Sequence, residues 1–162
     1  MLRGELVVLR PCTEQDLPAL AVIRAADEVA RWWGADDSAG ELADPETQVY
    51  SIVFENRVVG SIHWHAEEEP DFRHAGIDLY LDPAVHGRGL GTDAVRTMAR
   101  YLVGEHGFHR LTIDPAAANT AAVRAYAKVG FKPVGIMRKY WRDPDGVWQD
   151  GLLLDLLAEE LT

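Results

Sequence analysis

The chain predicts an α/β (α+β) fold, a mixed sheet with helices on its faces rather than a doubly wound parallel sheet. Three observations predict it. Segments with strand-like apolar patterning are interleaved with segments that repeat at helical spacing. A strand-like run near the middle ends in a glycine-rich turn that opens a helix. The chain then closes on two strand-like runs around the turn Asp143-Pro144-Asp145-Gly146.

Taken in order, residues 5–10 alternate weakly and predict a first strand. Asp16 suits the N-cap of a helix running to about Trp33, with Pro18 tolerated in its first turn. Leu17, Leu20, Ala21 and Val29 form its apolar face, and Trp32-Trp33-Gly34 ends it. In the acidic stretch 35–47, Asp44-Pro45-Glu46 predicts a turn or the start of a short helix. Residues 48–55 and 57–65 flank Asn56 and predict a hairpin. A charged loop at 67–71 leads to a mostly buried strand at 75–81, which Asp82-Pro83 closes.

The next helix runs from Leu90 to about His106, with Leu90, Ala94, Val95, Met98, Leu102 and Val103 as its apolar stripe. A short strand at 110–114 stops at Pro115, and a helix from about Asn119 to Val129 closes on Gly130. Strands at 131–141 and 147–157 bring the count to seven. No internal repeat or linker interrupts the 162 residues, so one domain, 1–162, is expected.

The formal net charge is −10, which argues against nucleic acid as the main partner and suits a cationic small molecule. No apolar run approaches the roughly 20 residues that span a bilayer, so no membrane partner is expected. Residues 1–10 lack a signal-peptide layout, and a cytoplasmic location is expected. Cys12 is the single cysteine; it is expected to be a buried small hydrophobe, and no internal disulfide is possible.

The turn His86-Gly87-Arg88-Gly89-Leu90-Gly91-Thr92 sits between a strand and a helix, where free N–H groups and the helix dipole favour phosphate. It lacks the Gly-Lys-Ser/Thr ending of nucleoside-triphosphate loops. It also misses the Gly-x-Gly-x-x-Gly dinucleotide pattern, because Thr92 stands three residues after Gly89. It does fit Gln/Arg-x-x-Gly-x-Gly/Ala, with Gly89 and Gly91 at the small positions and His86 where Gln or Arg is usual. Downstream, 119–131 reads Asn-x-x-Ala-x-x-x-Tyr-x-x-x-Gly-Phe. Asn119 and Tyr126 are almost two turns apart and share a helix face, with the small Ala122 between them.

Together these two motifs resemble the GNAT superfamily of N-acetyltransferases. The resemblance implies a mostly antiparallel sheet of about seven strands, with a central parallel pair, 75–81 and 110–114, splayed apart around pantetheine. It implies acetyl-CoA as co-substrate, no metal, and direct acyl transfer to an amine. A free N–H near Leu79, Tyr80 and Leu81 would polarise the thioester carbonyl. His86, Gly87, Arg88, Gly89, Leu90, Gly91 and Thr92 would cradle the pyrophosphate, with Arg88 either on a phosphate or on the open surface. Asn119 and Ala122 would line the coenzyme, and Tyr126 would protonate the leaving thiolate, the alternative being a core aromatic. Asp78 is the first choice of base for the protonated amine and Asp114 the second.

Local details resemble the aminoglycoside 6′-N-acetyltransferases: Trp32-Trp33-Gly34, Gly76-Ile77-Asp78, Gly89-Leu90-Gly91-Thr92 and Thr112-Ile113-Asp114-Pro115. That resemblance implies an aminoglycoside-like polycation held by Asp78 and Asp114. Trp32 and Trp33 serve either as an aromatic wall or as core. The tail, 137–148, resembles ribosomal-protein N-terminal acetyltransferases and general small-molecule members instead, which keeps a protein N-terminus or another small amine as the alternative acceptor. A non-catalytic acyl-CoA binder is the lesser alternative. His63 and His65 share a strand face and are expected either to line the acceptor cleft or to lie on a solvated face rather than hold a metal. Both monomer and homodimer remain open.

Overall fold

The computed structural model describes residues 1–162. Its strands are β1 (Leu2–Arg3), β2 (Val8–Pro11), β3 (Gln48–Phe54), β4 (Arg57–Glu67), β5 (His74–Leu81), β6 (Arg110–Ile113), β7 (Lys132–Arg142) and β8 (Trp148–Leu157). The helices are α1 (Leu17–Ala25), α2 (Asp27–Trp33), α3 (Ser38–Ala43), α4 (Leu90–Gly104) and α5 (Thr120–Ala127). The eight strands lie in the order β1-β2-β3-β4-β5-β6-β8-β7. Every pairing is antiparallel except β5–β6, which is parallel.

The parallel pair positions the site. It holds register only at Ala75↔Leu111 and Gly76↔Thr112. Beyond Gly76, β5 continues along β4 to Leu81 without a β6 partner, so the sheet opens at its centre. The predicted splay is therefore present.

Alternation along β5 sends Ile77 to one face of the sheet and Tyr80 to the other. Ile77 joins the main core with Ile62, Trp64, Leu111 and Leu156, onto which α4 lays the expected stripe of Leu90, Ala94, Val95, Met98 and Leu102. Tyr80 joins a smaller cluster with Cys12, Leu20, Ile23 and Val29 under α1 and α2. Cys12 is buried as expected, and burial pushes its thiol pKa up. The β3–β4 hairpin turns on Glu55 and Asn56, both at positive φ (51° and 61°), the backbone of a tight two-residue turn.

Two expectations are corrected. The predicted helix from Asp16 to Trp33 is two helices, broken at Ala26 (φ −65°, ψ 135°). Asp27 and Glu28 then restart it, with acidic side chains at the positive end of the new helix dipole. Residues 5–7 do not join the first strand, because the buried Asp93 carboxylate of α4 accepts the N–H groups of Glu5, Leu6 and Val7 at 3.0, 2.8 and 2.9 Å. Gly4 permits this approach, since a Cβ there would lie 2.4 Å from Asp93 Oδ2. The chain ahead of that bend forms β1, the eighth strand. The acidic stretch folds as α3 before Asp44, and Asp44-Pro45-Glu46 makes the expected turn, the Thr47 N–H donating to the Asp44 carbonyl at 3.3 Å.

Candidate active site

On one side of the opening, the glycine turn is held by backbone geometry. His86 Nε2 lies 3.0 Å from the Leu81 carbonyl oxygen and ties the turn to the end of β5. Gly87 and Gly89 both sit in the left-handed region (φ 76° and 80°), which side chains with a Cβ avoid. Gly89 is the N-cap of α4, and the first N–H returned to it is that of Asp93, at 3.0 Å. The N–H groups of Leu90, Gly91 and Thr92 precede that bond and have no carbonyl within the helix, so they face outward as an anion cradle. A Cβ at Gly91 would lie 3.3 Å from Leu81 Cδ1, so the helix packs close on the strand. Thr92 Oγ1 donates to the Ala125 carbonyl (3.4 Å) and joins α4 to α5. The Arg88 guanidinium lies over the Phe54 ring at 4.8 Å.

The Asp82 N–H donates to Val59 on β4. By alternation, the N–H groups of Leu79 and Leu81 point the other way, into the gap that β6 has left. Tyr80 is placed differently from its neighbours: its N–H faces β4, and its ring is buried with the hydroxyl 3.3 Å from Ser38 Oγ. Asn119 caps α5, its Oδ1 accepting the Ala122 N–H at 3.3 Å, so only its amide nitrogen is left for a ligand. Ala122 packs against the main core.

On the other side, a cavity of about 240 Å³ brings together Trp32, Trp33, Asp78, Asp114, Tyr126 and Tyr140. Five of these six were expected from the sequence. Tyr126 is buried among them, and burial, then the charges of Asp78 and Asp114, push its hydroxyl pKa well above the ordinary 10. Burial and the Asp78 charge raise the Asp114 carboxyl pKa, while the Tyr140 hydroxyl and His65 pull it down. Asp78 Oδ2 lies 3.5 Å from His63 Nε2, and His63 is buried behind Asp78 rather than lining the cavity itself. No group of three or more His, Cys, Asp or Glu side chains is placed to hold a metal ion.

The two tryptophans divide the roles left open for them. Trp32 is half-buried, faces Trp141 at 6.1 Å and carries the Arg31 guanidinium over its ring. Trp33 lines the cavity but also packs edge-on against Tyr80 at 5.0 Å, at the border of the smaller core. Two supporting residues escaped the sequence reading. Arg24 is buried, pairs with Glu41 at 3.1 Å and donates to the carbonyls of Trp33 and Ala35, which fixes the end of α2. Tyr140 donates to Asp114 Oδ2. The aromatic tail hinted at Tyr140; a single arginine within a helix gave no signal for Arg24.

A turn of free N–H groups at a helix start, beside a parallel strand pair open at its centre, defines an acyl-coenzyme A site. Residues 7–132 match the acetyltransferase (GNAT) domain family, and the chain belongs to that family of acetyl-CoA-dependent enzymes. It is 29% identical over 164 residues to the aminoglycoside N(6′)-acetyltransferase type 1 of Klebsiella pneumoniae, covering 86% of this chain and 79% of that protein. Its fold matches Mycobacterium smegmatis RimJ in complex with CoA-disulfide (TM-score 0.84, 25% identity, 99% of this chain and 87% of that one). It also matches AAC(6′)-Ib in complex with ribostamycin and coenzyme A (TM-score 0.79, 25% identity, 96% of each chain).

Proposed function

We propose that this enzyme acetylates a primary amine of a cationic small molecule, most simply an aminoglycoside-like aminosugar. The observation that carries this reading is the meeting of Asp78 and Asp114 in one cavity with Tyr126 and the Trp32–Trp33 wall. The cavity adjoins a larger bay of about 730 Å³ through Trp32 and Trp141, and that bay adds Asp27, Asp143, Asp145 and Asp150 against a single Arg31. A polycation fits such a surface by charge and by stacking on the aromatic rings. The likeness to the K. pneumoniae enzyme supports the same class of acceptor.

Acetyl-CoA supplies the acyl group as a thioester. The glycine turn binds its pyrophosphate, and the Leu79 N–H polarises the carbonyl from within the gap. The carboxylates draw in the ammonium group, and one of them takes its proton, so that the free amine forms the new C–N bond as the C–S bond breaks; the second proton shed by the nitrogen goes to the departing thiolate, which leaves as coenzyme A thiol. The raised pKa makes Asp114 a stronger base than an ordinary carboxylate. Asp78 faces the same space and holds the positive charge beside it.

We propose a modified role for Tyr126. Its hydroxyl sits above 10, whereas a thiol titrates near about 8.5, so full proton transfer to the leaving thiolate runs uphill. Tyr126 instead donates a hydrogen bond to the departing sulfur. Tyr126→Phe should lower kcat by about 10²–10³-fold while coenzyme binding persists, given the worth of one well-placed donor. Unchanged turnover would remove Tyr126 from the chemistry.

A second reading, a protein N-terminus as acceptor, is favoured by a shorter likeness: 45% of the chain is matched at 33% identity by the N-alpha-acetyltransferase RimI of Mycobacterium tuberculosis. Thiol release from acetyl-CoA separates the two. Saturable release with kanamycin or tobramycin supports the aminosugar, and release only with N-terminal peptides supports the second reading. Tight coenzyme binding without turnover on a broad amine panel would reduce the protein to an acyl-CoA binder.

A further inference from the structure

The tail hairpin contains an irregularity aimed at the acceptor cavity. Along β7 and β8, Met137 pairs with Gly151 and Trp141 with Gln149, so Arg138, Lys139 and Tyr140 together stand opposite Asp150 alone. This bulge is pinned at several points. Lys139 sits in the left-handed region (φ 49°), and its N–H is held by Asp150 Oδ1 at 2.9 Å. The Asp150 carbonyl accepts Trp141 Nε1 at 3.2 Å and the Ala117 N–H at 2.9 Å. The Leu152 N–H donates to Pro115 at 2.9 Å, which ties β8 to the residues just after Asp114.

The Tyr140 ring then crosses Gly151. A Cβ at that glycine would lie 2.7 Å from Tyr140 Cδ2, so the path exists only because residue 151 has no side chain. At the end of that path the Tyr140 hydroxyl donates to Asp114 Oδ2 at 2.5 Å. Bulges next to functional sites commonly re-aim a side chain. Here a non-glycine residue in an uncommon conformation, a capping carboxylate and an obligatory gap at 151 all serve one hydroxyl. Tyr140 itself is 47% exposed, so burying its ring does not account for the arrangement.

We propose that Tyr140 is a positioning residue for acetyl transfer, carried over Gly151 by the 138–140 bulge so that its hydroxyl fixes the Asp114 carboxylate in one orientation toward the amine. This rests on the assignment of Asp78 and Asp114 to the acceptor side. The other titratable groups facing Asp114 are Asp78 on β5, His65 on β4 and Tyr126 on α5. None of them replaces the lost donor when the hydroxyl is removed, while burial and the Asp78 charge remain.

The test follows the Asp114 carboxyl directly, by carbon NMR of aspartate-labelled enzyme without any acceptor, assigned with Asp114→Asn. In Tyr140→Phe the Asp114 midpoint should rise by about one pH value, the loss of one charge-assisted hydrogen bond. The acid limb of kcat/KM for kanamycin should move up with it, lowering kcat/KM by up to about tenfold on that limb and leaving the plateau unchanged, with coenzyme Kd unchanged. Gly151→Ala keeps the hydroxyl but blocks the path and should reproduce both changes, with the double variant no worse than either. An unmoved Asp114 midpoint in Tyr140→Phe overturns the proposal. If Gly151→Ala does not fold, Tyr140→Phe decides alone. A shifted midpoint in an enzyme that never acetylates kanamycin upholds the clamp and rejects the aminosugar reading instead.

Discussion

On the proposed donor side of the site the groups offered to the coenzyme are main-chain atoms. They are the N–H groups at the start of α4, the N–H of Leu79 in the gap beside β6, and glycines that let the chain turn and pack closely. On the acceptor side they are side chains drawn from the end of α2, from β5, from the residues after β6, from α5 and from the tail hairpin. The difference follows from what each half holds. A pyrophosphate and a thioester are the same in every turnover, so a fixed backbone cradle serves them. An amine acceptor differs from enzyme to enzyme, and its wall is set by residues that can change without altering the fold.

The sharpest break between the halves should come from Asp114→Asn. It is expected to lower kcat/KM for the amine by about 10²–10⁴-fold, the usual worth of a positioned acid–base group, with coenzyme Kd within about twofold. Stopped-flow coenzyme binding and steady-state kinetics would show the split. Wild-type kinetics would move the decisive carboxylate to Asp78.

Second in size is the ground on which the acceptor wall stands. Asp16 is buried at the start of α1, bridged by both Arg10 guanidinium nitrogens at 2.7 and 2.9 Å and by the Ser51 hydroxyl at 2.8 Å. Asp16→Ala should cost about 3 kcal/mol in urea unfolding, the low end for a broken buried pair, since Arg10 keeps contact with water. Arg10 holds the Asp16 carboxyl well below the usual carboxylate range. Its stabilising share is therefore complete above the unfolded value of about 3.9 and is lost as pH falls from there toward the folded value. The gap in stability between wild type and Asp16→Ala should narrow over that acid range; a constant gap would show that the ion pair contributes little.

The donor half should yield to a backbone change. Gly89→Val places a branched residue at φ 80°, at a cost of about 1–2 kcal/mol or more. Calorimetry should then show coenzyme Kd raised by about tenfold or more, while the acceptor wall is untouched. The smallest effect is expected at Trp32→Ala, which removes one half-buried ring from the wall. Acceptor KM should rise by about fivefold, in keeping with about 1 kcal/mol for an aromatic contact, and kcat should hold. A fall in kcat instead would give Trp32 a part in alignment as well as binding.

This division also explains what was legible beforehand. The glycine turn and the Asn119–Tyr126 helix are contiguous, and their spacing expresses local requirements: positive φ at Gly87 and Gly89, and a shared face seven residues apart. Asp78 and Asp114 stood out because each is a carboxylate at or within an apolar strand. Ala26, by contrast, turns extended (ψ 135°) where propensity alone would continue the helix, and the bond from Arg24 to the Trp33 carbonyl links the two pieces. Residues 5–7 left the sheet for Asp93, a partner more than 80 positions away.

By itself, then, the chain determined the order of its elements, the mixed sheet, the phosphate-binding turn, and the pairing of acetyl donor with amine acceptor that its motifs imply. Those properties are written in short-range patterns, where steric limits and periodicity act residue by residue. Only the tertiary structure decided that Tyr80 turns away from the coenzyme gap into the smaller core, and that Trp32 and Trp33 differ in role. It alone brings Tyr140 over Gly151 to reach Asp114. Each of these depends on which side chains meet across strands and helices remote in sequence, and that is fixed by packing and register rather than by any local run of residues.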